Sequence, residues 1–133
     1  MSMTYMNESN RVVVIGGGAA GMMAAGTAAA NGAQVTLLEK NDRLGKKLYI
    51  TGKGRCNVTN DCPAEEFFQN VPRNPRFLYS AIYGFAPRDA MAFFEELGCE
   101  LKTERGNRVF PVTDRSASVI DALRAWLRQT GVK

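Results

Sequence analysis

The stretch VVVIGGGAAG, residues 12–21, decides the fold of this chain. Its four β-branched residues are typical of a parallel strand that is buried on both faces. They lead directly into a GxGxxG pattern formed by Gly16, Gly18 and Gly21. In a dinucleotide-binding βαβ unit these glycines permit a sharp turn, the approach of a pyrophosphate, and close packing of the helix on the sheet. The pattern therefore predicts such a unit, with a phosphate site at the helix N-terminus that includes Ala19 and Ala20.

The residues after this fingerprint complete the βαβ pattern. Residues 19–30 are almost all small and compatible with a helix, and the Asn-Gly pair at 31–32 is a helix stop. A second strand is predicted over residues 34–38 and leads into Glu39, 18 residues after Gly21. A carboxylate at this place accepts hydrogen bonds from the ribose of an adenosine dinucleotide. The alternative is a tight strand-to-helix turn followed by a solvated glutamate.

Length and composition limit the class of protein. The 133 residues suffice for one domain but are few for an oxidoreductase that holds both a dinucleotide and a substrate. No apolar stretch approaches the roughly 18 residues that span a bilayer, so a membrane partner is not expected. Residues 1–10 lack the basic start and apolar core of a secretory signal, and we expect them to be disordered. A cytoplasmic location is the default expectation.

The cysteine and histidine content limits the chemistry. The chain has no histidine and three cysteines, Cys56, Cys62 and Cys99, without a CxxC pair. We therefore expect reduced thiols and neither a disulfide framework nor a metal site. Catalysis by Ser-His-Asp or Cys-His groups is excluded because the imidazole base is missing. No carboxylate pair suited to acid-base work is evident either, so no catalytic residue is predicted.

A basic segment lies between residues 40 and 55. It contains one acidic residue, Asp42, and six basic residues: Lys40, Arg43, Lys46, Lys47, Lys53 and Arg55. Either a cofactor phosphate or a nucleic acid could neutralise this charge. The segment lacks an aromatic platform or a recognition helix, so we favour the phosphate and expect no nucleic-acid partner. A solvated basic loop that binds nothing is the third interpretation.

The rest of the chain predicts a helical segment, an antiparallel hairpin and an amphipathic helix. Helices are predicted over residues 64–70, 76–83, 87–97 and 116–130. Strands over 100–104 and 107–112 form a hairpin appended to the parallel sheet. Residues 48–50 are predicted to be a short apolar anchor, and Trp126 a core anchor. Residues 132–133 resemble the start of another strand, so we expect the chain to stop inside a βαβ crossover.

Further segments join the fingerprint in carrying a resemblance to a known family: Glu39-Lys40, GKKLYITGKGRCNVTN (residues 45–60) and GNRVFPVTDRSASVIDAL (residues 106–123). The chain resembles the amino-terminal part of the bacterial NAD(P)/FAD-dependent oxidoreductases of the BaiN and aminoacetone-oxidase type. The resemblance implies an α/β fold class: a Rossmann-like FAD-binding βαβ unit with a parallel sheet, a helical segment and a small antiparallel hairpin. Residues 11–133 would be the amino-terminal part of the FAD-binding domain. Relative to the family, the substrate domain and carboxy-terminal part would be absent.

The resemblance also implies a cofactor and its site. FAD would bind through its pyrophosphate at residues 16–21 and through its adenosine ribose at Glu39, with Lys40 beside it. A loop would line the phosphates, the ribityl chain or the flavin edge through Lys46, Lys47, Gly52, Gly54, Arg55, Cys56 and Asn57. Two alternatives stay open, since Cys56 can be a redox thiol or a packed spectator. Arg55 can contact the cofactor or brace the loop.

Three functions are consistent with these observations. The first is the FAD-binding portion of an oxidoreductase, in which FAD carries hydride or electrons and NAD(P)H is a candidate donor. The second is an NAD-dependent Rossmann dehydrogenase, in which Glu39 would repel a 2′-phosphate. The third is an inactive truncated fragment that acts only by binding or self-association, because an unpaired sheet edge invites association. The family consists of enzymes, but we expect this chain to be too short for activity alone, and the substrate cannot be read from it.

Overall fold

The computed structural model describes residues 10–133, which divide into two compact units. Unit 1 takes in the chain up to Lys46 together with residues 123–133, and unit 2 comprises residues 47–122. The predicted disorder of residues 1–10 lies outside the described residues, except at Asn10. The Asn10 carbonyl accepts a hydrogen bond of 2.9 Å from the N–H of Gln34, so this residue is tied to the strand that Gln34 begins.

Unit 1 contains the predicted βαβ unit, formed by β1 (Arg11–Ile15), α1 (Ala19–Ala30) and β2 (Gln34–Leu38). The two strands pair in parallel, from Arg11 opposite Gln34 to Ile15 opposite Leu38. Helix α1 ends where Gly32 takes a φ of +90°, a conformation that glycine adopts without strain. The bounds of α1 and β2 agree with those predicted from the sequence.

The end of the described chain hydrogen-bonds to this two-stranded sheet. The Lys133 N–H donates to the Val35 carbonyl at 3.0 Å, and the Leu37 N–H donates to the Lys133 carbonyl at 2.7 Å. In a parallel pair of strands, a residue bonds to the two residues that flank the one opposite it, and Lys133 bonds to Val35 and Leu37 in this way. The predicted strand is not formed at residues 132–133, but Lys133 makes this one pair of hydrogen bonds along the edge of β2 away from β1.

The core of unit 1 lies between the sheet and helix α1. Met22 and Ala25 of α1 are fully buried, and Val35 of β2 is almost so. A Cβ atom on Gly26 would overlap the indole ring of Trp126, so glycine permits the ring to lie against the helix. Trp126 therefore packs on α1, as expected of an anchor, but it is only partly buried.

The other face of the parallel sheet is open within residues 10–133. Val13, Ile15 and Leu38 are exposed by 62%, 86% and 51%. The prediction that β1 is buried on both faces is therefore wrong for this structure. The reason is that α1 packs on the opposite face of the sheet, and side chains alternate between the faces of a strand.

Unit 2 is built on a three-stranded antiparallel sheet with short helices. Its elements are a 3-10 segment (Leu48–Gly54), β3 (Thr59–Asn60), α2 (Ala64–Gln69), a 3-10 turn (Pro75–Leu78), α3 (Tyr79–Gly84), α4 (Pro87–Glu96), β4 (Leu101–Glu104), β5 (Arg108–Pro111) and the start of α5 (Ser116–Gln129). Strand β5 is central, between β3 and β4. The predicted hairpin of β4 and β5 is confirmed, but it belongs to this separate sheet and is not an appendage of the parallel one.

Three other details of unit 2 differ from expectation. The helix predicted over 76–83 begins as a 3-10 turn, which follows a left-handed Asn74 and has Pro75 at its start. Of the apolar anchor predicted at residues 48–50, Ile50 is 78% exposed, whereas Leu48 and Tyr49 are partly buried. Strand β3 was not predicted.

No helix within residues 10–133 is long and apolar enough to cross a membrane.

Candidate dinucleotide-binding site

The fingerprint glycines occupy the turn from β1 into α1. Gly16 has a φ of +103°, and its N–H donates to the Leu38 carbonyl at 2.7 Å. A Cβ atom on Gly21 would overlap the Gly16 carbonyl oxygen, so only glycine lets the helix start this close to the turn. Gly18, in contrast, is exposed and has no other atom within 4 Å of where its Cβ would lie. The space beside Gly18 is therefore open to a ligand.

The first turn of α1 offers donors to that space. Gly18 is the N-cap, no side chain caps the helix, and the first turn contains no acidic residue. The first N–H groups of a helix have no acceptor within the helix, and they carry a partial positive charge. Ala19 and Ala20 are exposed there. These features fit a pyrophosphate, which needs close backbone approach and several N–H donors.

Glu39 lies directly after β2, and the backbone around it holds its carboxylate. Oε2 accepts a hydrogen bond of 2.7 Å from the Gly17 N–H, and Oε1 accepts one of 2.8 Å from the Asn41 N–H. The side-chain amide of Asn41 also donates to Oε1. The hydrogen bonds from the backbone N–H groups of Asn41 and Gly17 lower the pKa of Glu39 below its ordinary value of 4.5. The carboxylate is consequently ionised at neutral pH and rigidly placed beside the fingerprint.

The segment that follows Glu39 packs back on the fingerprint. The Gly45 N–H donates to the Gly17 carbonyl at 2.7 Å, and a Cβ on Gly17 would overlap the side chain of Leu44. Lys46 Nζ lies 3.3 Å from Oδ1 of Asn41. The side chain of Asn41 therefore links Lys46 to Glu39, whereas Lys40 is exposed.

The sequence-based prediction missed Asn41, which contacts both Glu39 and Lys46. Asparagine side chains commonly bond to backbone and polar groups one to three residues away. An Asn two residues after Glu39 was therefore the available signal.

The remaining predicted residues lie in unit 2, on a loop with an unusual backbone. Gly52, Lys53, Gly54 and Cys56 have φ values of 54°, 58°, 85° and 61°. A Cβ on Gly52 would lie 2.8 Å from the backbone nitrogen of Asn57, so this glycine is required sterically. The loop is thus defined by left-handed positions, two of which are occupied by residues other than glycine.

Arg55 belongs to a ring of alternating charges, here called the charge ring, formed by Arg55, Glu104, Lys102 and Asp114. Arg55 Nη2 donates to Glu104 at 2.7 Å, and Arg55 Nε lies 3.3 Å from Asp114 without an aligned hydrogen bond. Lys102 closes the ring at 2.7 Å from Asp114 and 3.4 Å from Glu104. The Arg55 guanidinium also lies 3.8 Å from the ring centre of Phe110. These contacts favour the interpretation that Arg55 braces the loop.

The other loop residues are placed in different ways. Asn57 Nδ2 donates to the carbonyls of Thr59 and Val109 at 2.7 and 3.1 Å, which ties the loop to the antiparallel sheet. Cys56 is 2% exposed, and burial raises the pKa of its thiol. Lys47 is exposed. Within residues 10–133, no cluster of Cys, Asp and Glu side chains is placed to hold a metal ion.

A pocket of about 310 Å³ opens beside this loop within unit 2. Three cations, Lys53, Arg55 and Arg108, share its wall with Glu104, and Phe110 contributes an aromatic surface. The pocket is therefore positively charged on balance.

Comparisons with known proteins agree with the fold. The model of the HI0933-like protein Rossmann domain matches residues 10–133. The 3-dehydro-bile acid delta(4,6)-reductase of Clostridium scindens is 38% identical over 126 residues, which cover 93% of this chain and 30% of that protein. The ribosomal RNA dihydrouridine synthase of Haemophilus influenzae is 27% identical over 130 residues, which cover 96% of this chain and 31% of that protein. The chain thus spans about a third of the length of these relatives.

A solved structure resembles the fold. The crystal structure of Thermovibrio ammonificans THI4 superposes with a TM-score of 0.59 at 12% identity, and the match covers 94% of this chain and 37% of that one. At this identity the likeness shows the fold alone, and it confirms the α/β fold class. The family match likewise confirms the resemblance predicted from the sequence. The match over residues 10–133 shows that the chain belongs to the HI0933-like family, whose Rossmann domain it contains.

Proposed function

We propose that this chain is the FAD-binding portion of a flavin-dependent oxidoreductase. The observation that carries the proposal is the Glu39 carboxylate, which the Gly17 N–H holds at 2.7 Å beside an open Gly18 and an uncapped helix N-terminus. An ionised acid after the second strand suits the ribose of an adenosine dinucleotide. The free N–H groups of the helix suit its pyrophosphate.

Each part of unit 1 has a separate task in this proposal. Ala19, Ala20 and the backbone at Gly18 donate to the pyrophosphate, and Gly16 turns the chain so that these donors point to one place. Glu39 accepts from the ribose, and it excludes a 2′-phosphate by charge repulsion. FAD, when bound, supplies the transfer of hydride or electrons, and NAD(P)H is the donor that we propose for it.

The loop residues in unit 2 are proposed as cofactor contacts on the strength of the sequence resemblance. Gly52 and Gly54 allow close backbone approach, and Lys47 supplies an exposed cation. Arg55, Cys56 and Asn57 are proposed to shape the loop, since their side chains contact the protein itself.

We propose that dinucleotide binding, rather than complete turnover, is what these residues supply, because the chain spans about a third of the length of its relatives. The names of the two relatives refer to different substrates, a bile acid and ribosomal RNA, so they do not indicate a substrate for this chain. The three buried and unpaired cysteines support a reducing, cytoplasmic location.

The test is the visible absorption spectrum of the purified protein, with the released cofactor identified by mass. Oxidised flavin bands and the mass of FAD are the expected result. A colourless protein that takes up no added FAD but binds NAD tightly would contradict the flavin assignment and support an NAD-dependent dehydrogenase.

A second candidate function, an association module, is favoured by the open face of the parallel sheet. Val13, Ile15 and Leu38 expose apolar surface on that face, and β1 pairs on one side only within the described residues. Sedimentation of the unaltered chain and of Ile15→Lys tests this candidate. Self-association that Ile15→Lys abolishes supports it, and a monomer at all concentrations contradicts it.

A further inference from the structure

The hydrogen bonds that hold Glu39 are divided unequally between its two carboxylate oxygens. Oε1 accepts from both the backbone N–H and the side-chain amide of Asn41, whereas Oε2 accepts from the Gly17 N–H. Each oxygen of an ionised carboxylate offers about two acceptor sites. Oε1 therefore accepts two hydrogen bonds, whereas Oε2 accepts one and has a site left for a further donor, since the Lys40 N–H near the carboxylate makes no aligned hydrogen bond to it.

The side chain of Asn41 is itself oriented. Lys46 Nζ lies 3.3 Å from Asn41 Oδ1, so the amide oxygen faces the lysine and the amide nitrogen faces Glu39. A rotated amide would place two oxygen acceptors against each other and lose both contacts. The order Lys46, Asn41, Glu39 thus defines a relay of hydrogen bonds that ends on Oε1.

We propose that Asn41 is a positioning residue that reserves Oε2 of Glu39 for one hydroxyl of the adenosine ribose, so that Glu39 binds a single hydroxyl and does not hold both. The inference rests on the proposed function, because it concerns the dinucleotide of that same site. It makes the two ribose hydroxyls unequal, since only one of them donates to a charged acceptor.

The first test compares FAD with analogues that carry 2′-deoxyadenosine or 3′-deoxyadenosine, by equilibrium dialysis against the unaltered chain and Glu39→Gln. Removal of one hydroxyl weakens binding to the unaltered chain by about tenfold or more. With that analogue Glu39→Gln has little further effect, whereas with the other analogue it keeps its full effect. Equal dependence of both hydroxyls on Glu39, or of neither, overturns the proposal.

The second test removes the amide that fills Oε1. Asn41→Leu keeps the side-chain size and the backbone N–H, so it frees one acceptor site on Oε1, and the two hydroxyls become more nearly equal in their dependence on Glu39. The matched control is Asn70→Leu, which removes an amide hydrogen bond to the Glu66 carbonyl in unit 2. The control leaves the hydroxyl preference unchanged. An unchanged preference in Asn41→Leu contradicts the proposal.

A third readout needs no ligand. The carbon-13 shift of the Glu39 carboxyl, followed against pH, reports its pKa directly. Asn41→Leu raises that pKa towards 4.5 because a donor to the ionised form is lost, and Asn70→Leu does not. An unmoved titration in Asn41→Leu overturns the proposal whether or not FAD binds. Failure of the unaltered chain to bind FAD contradicts the proposed function instead, so the two failures are distinguishable.

Discussion

The backbone N–H of Gly17 donates a hydrogen bond of 2.7 Å to Oε2 of Glu39, 22 residues further along the chain. This bond joins the turn after β1 to the end of β2, the two places where the dinucleotide-binding fold meets its ligand. The protein's own backbone therefore holds the acid in place. Such preorganisation reduces the entropy that binding must overcome.

Gly21 and Gly18 are predicted to serve different purposes, and their alanine variants separate them. Gly21→Ala places a Cβ against the Gly16 carbonyl oxygen, so we expect it to destabilise the protein by about 1–3 kcal/mol. Gly18→Ala meets no atom within 4 Å and keeps a common backbone conformation, so its cost in stability stays within about 1 kcal/mol. Chemical unfolding measures both changes.

The two alanine variants are expected to rank in the opposite order in their effect on FAD affinity. Gly18→Ala places a methyl group where we propose that the pyrophosphate approaches, so FAD affinity falls while the fold persists. If Gly18→Ala bound FAD as tightly as the unaltered chain, the phosphate would lie elsewhere.

Arg55 is predicted to stabilise the loop through geometry that lysine cannot reproduce. Arg55→Lys keeps the charge but loses the planar contact with Phe110 and the paired approach to Glu104 and Asp114. We expect it to cost about 1–2 kcal/mol in unfolding free energy. The matched control is Arg88→Lys, at an arginine whose side chain is 81% exposed and 3.7 Å from Asp61, with an expected change within about 0.5 kcal/mol. Equal effects of the two variants would show that the charge ring does not brace the loop.

The charge ring also predicts a dependence of stability on pH. The hydrogen bond from Lys102 lowers the pKa of Asp114 below its ordinary value of 3.8. The contribution of Asp114 is therefore fully present above pH 3.8 and is lost as the pH falls through the lowered pKa. The partner effect has the opposite sign, since Asp114 raises the pKa of Lys102 above 10.5, and that contribution is lost at still higher pH.

Asp114→Asn tests this window. Asparagine tolerates the left-handed conformation of residue 114, so the variant removes the charge without straining the backbone. The unaltered chain is expected to be more stable than the variant at neutral pH, with the difference vanishing in strong acid. Asp42→Asn, on an exposed residue outside the ring, is the control. A stability difference that stays constant into strong acid is inconsistent with the charge ring.

The thiols are predicted to be unreactive in the folded protein. Cys56, Cys62 and Cys99 are each no more than 5% exposed, and burial raises the pKa of every one of them. Labelling by a thiol reagent at neutral pH should therefore proceed no faster than unfolding. Rapid labelling of Cys56 in the native state would favour the redox interpretation of that residue.

Local patterns explain how much could be predicted from the sequence. The βαβ unit follows from a β-branched run, small residues and an Asn-Gly stop, and the bounds of α1 and β2 were predicted to the residue. Strand β3, in contrast, has two residues, too few for any alternation of apolar and polar positions. Its existence depends on pairing with β5, nearly 50 residues away.

The parts of the site that depend on distant contacts were likewise out of reach. The Arg55 contact with Glu104 spans 49 residues, and no spacing rule relates two such charges. The basic character of residues 40–55 was evident, but which of its cations pair with acids depends on the antiparallel sheet. Ile50 was misjudged for a related reason, since an apolar residue in a glycine-rich loop can face outward when the turn directs it there.

The measurement that tests the central claim most directly is equilibrium dialysis of FAD against the unaltered chain, Glu39→Gln and Glu96→Gln. Glu96 is an exposed residue at the end of α4, so its variant controls for the loss of one negative charge. We predict saturable binding of one FAD per chain, unchanged affinity in Glu96→Gln, and an affinity at least about tenfold lower in Glu39→Gln. Equal affinity of all three proteins, or no saturable binding, would contradict a dinucleotide site built on Glu39 and the fingerprint glycines.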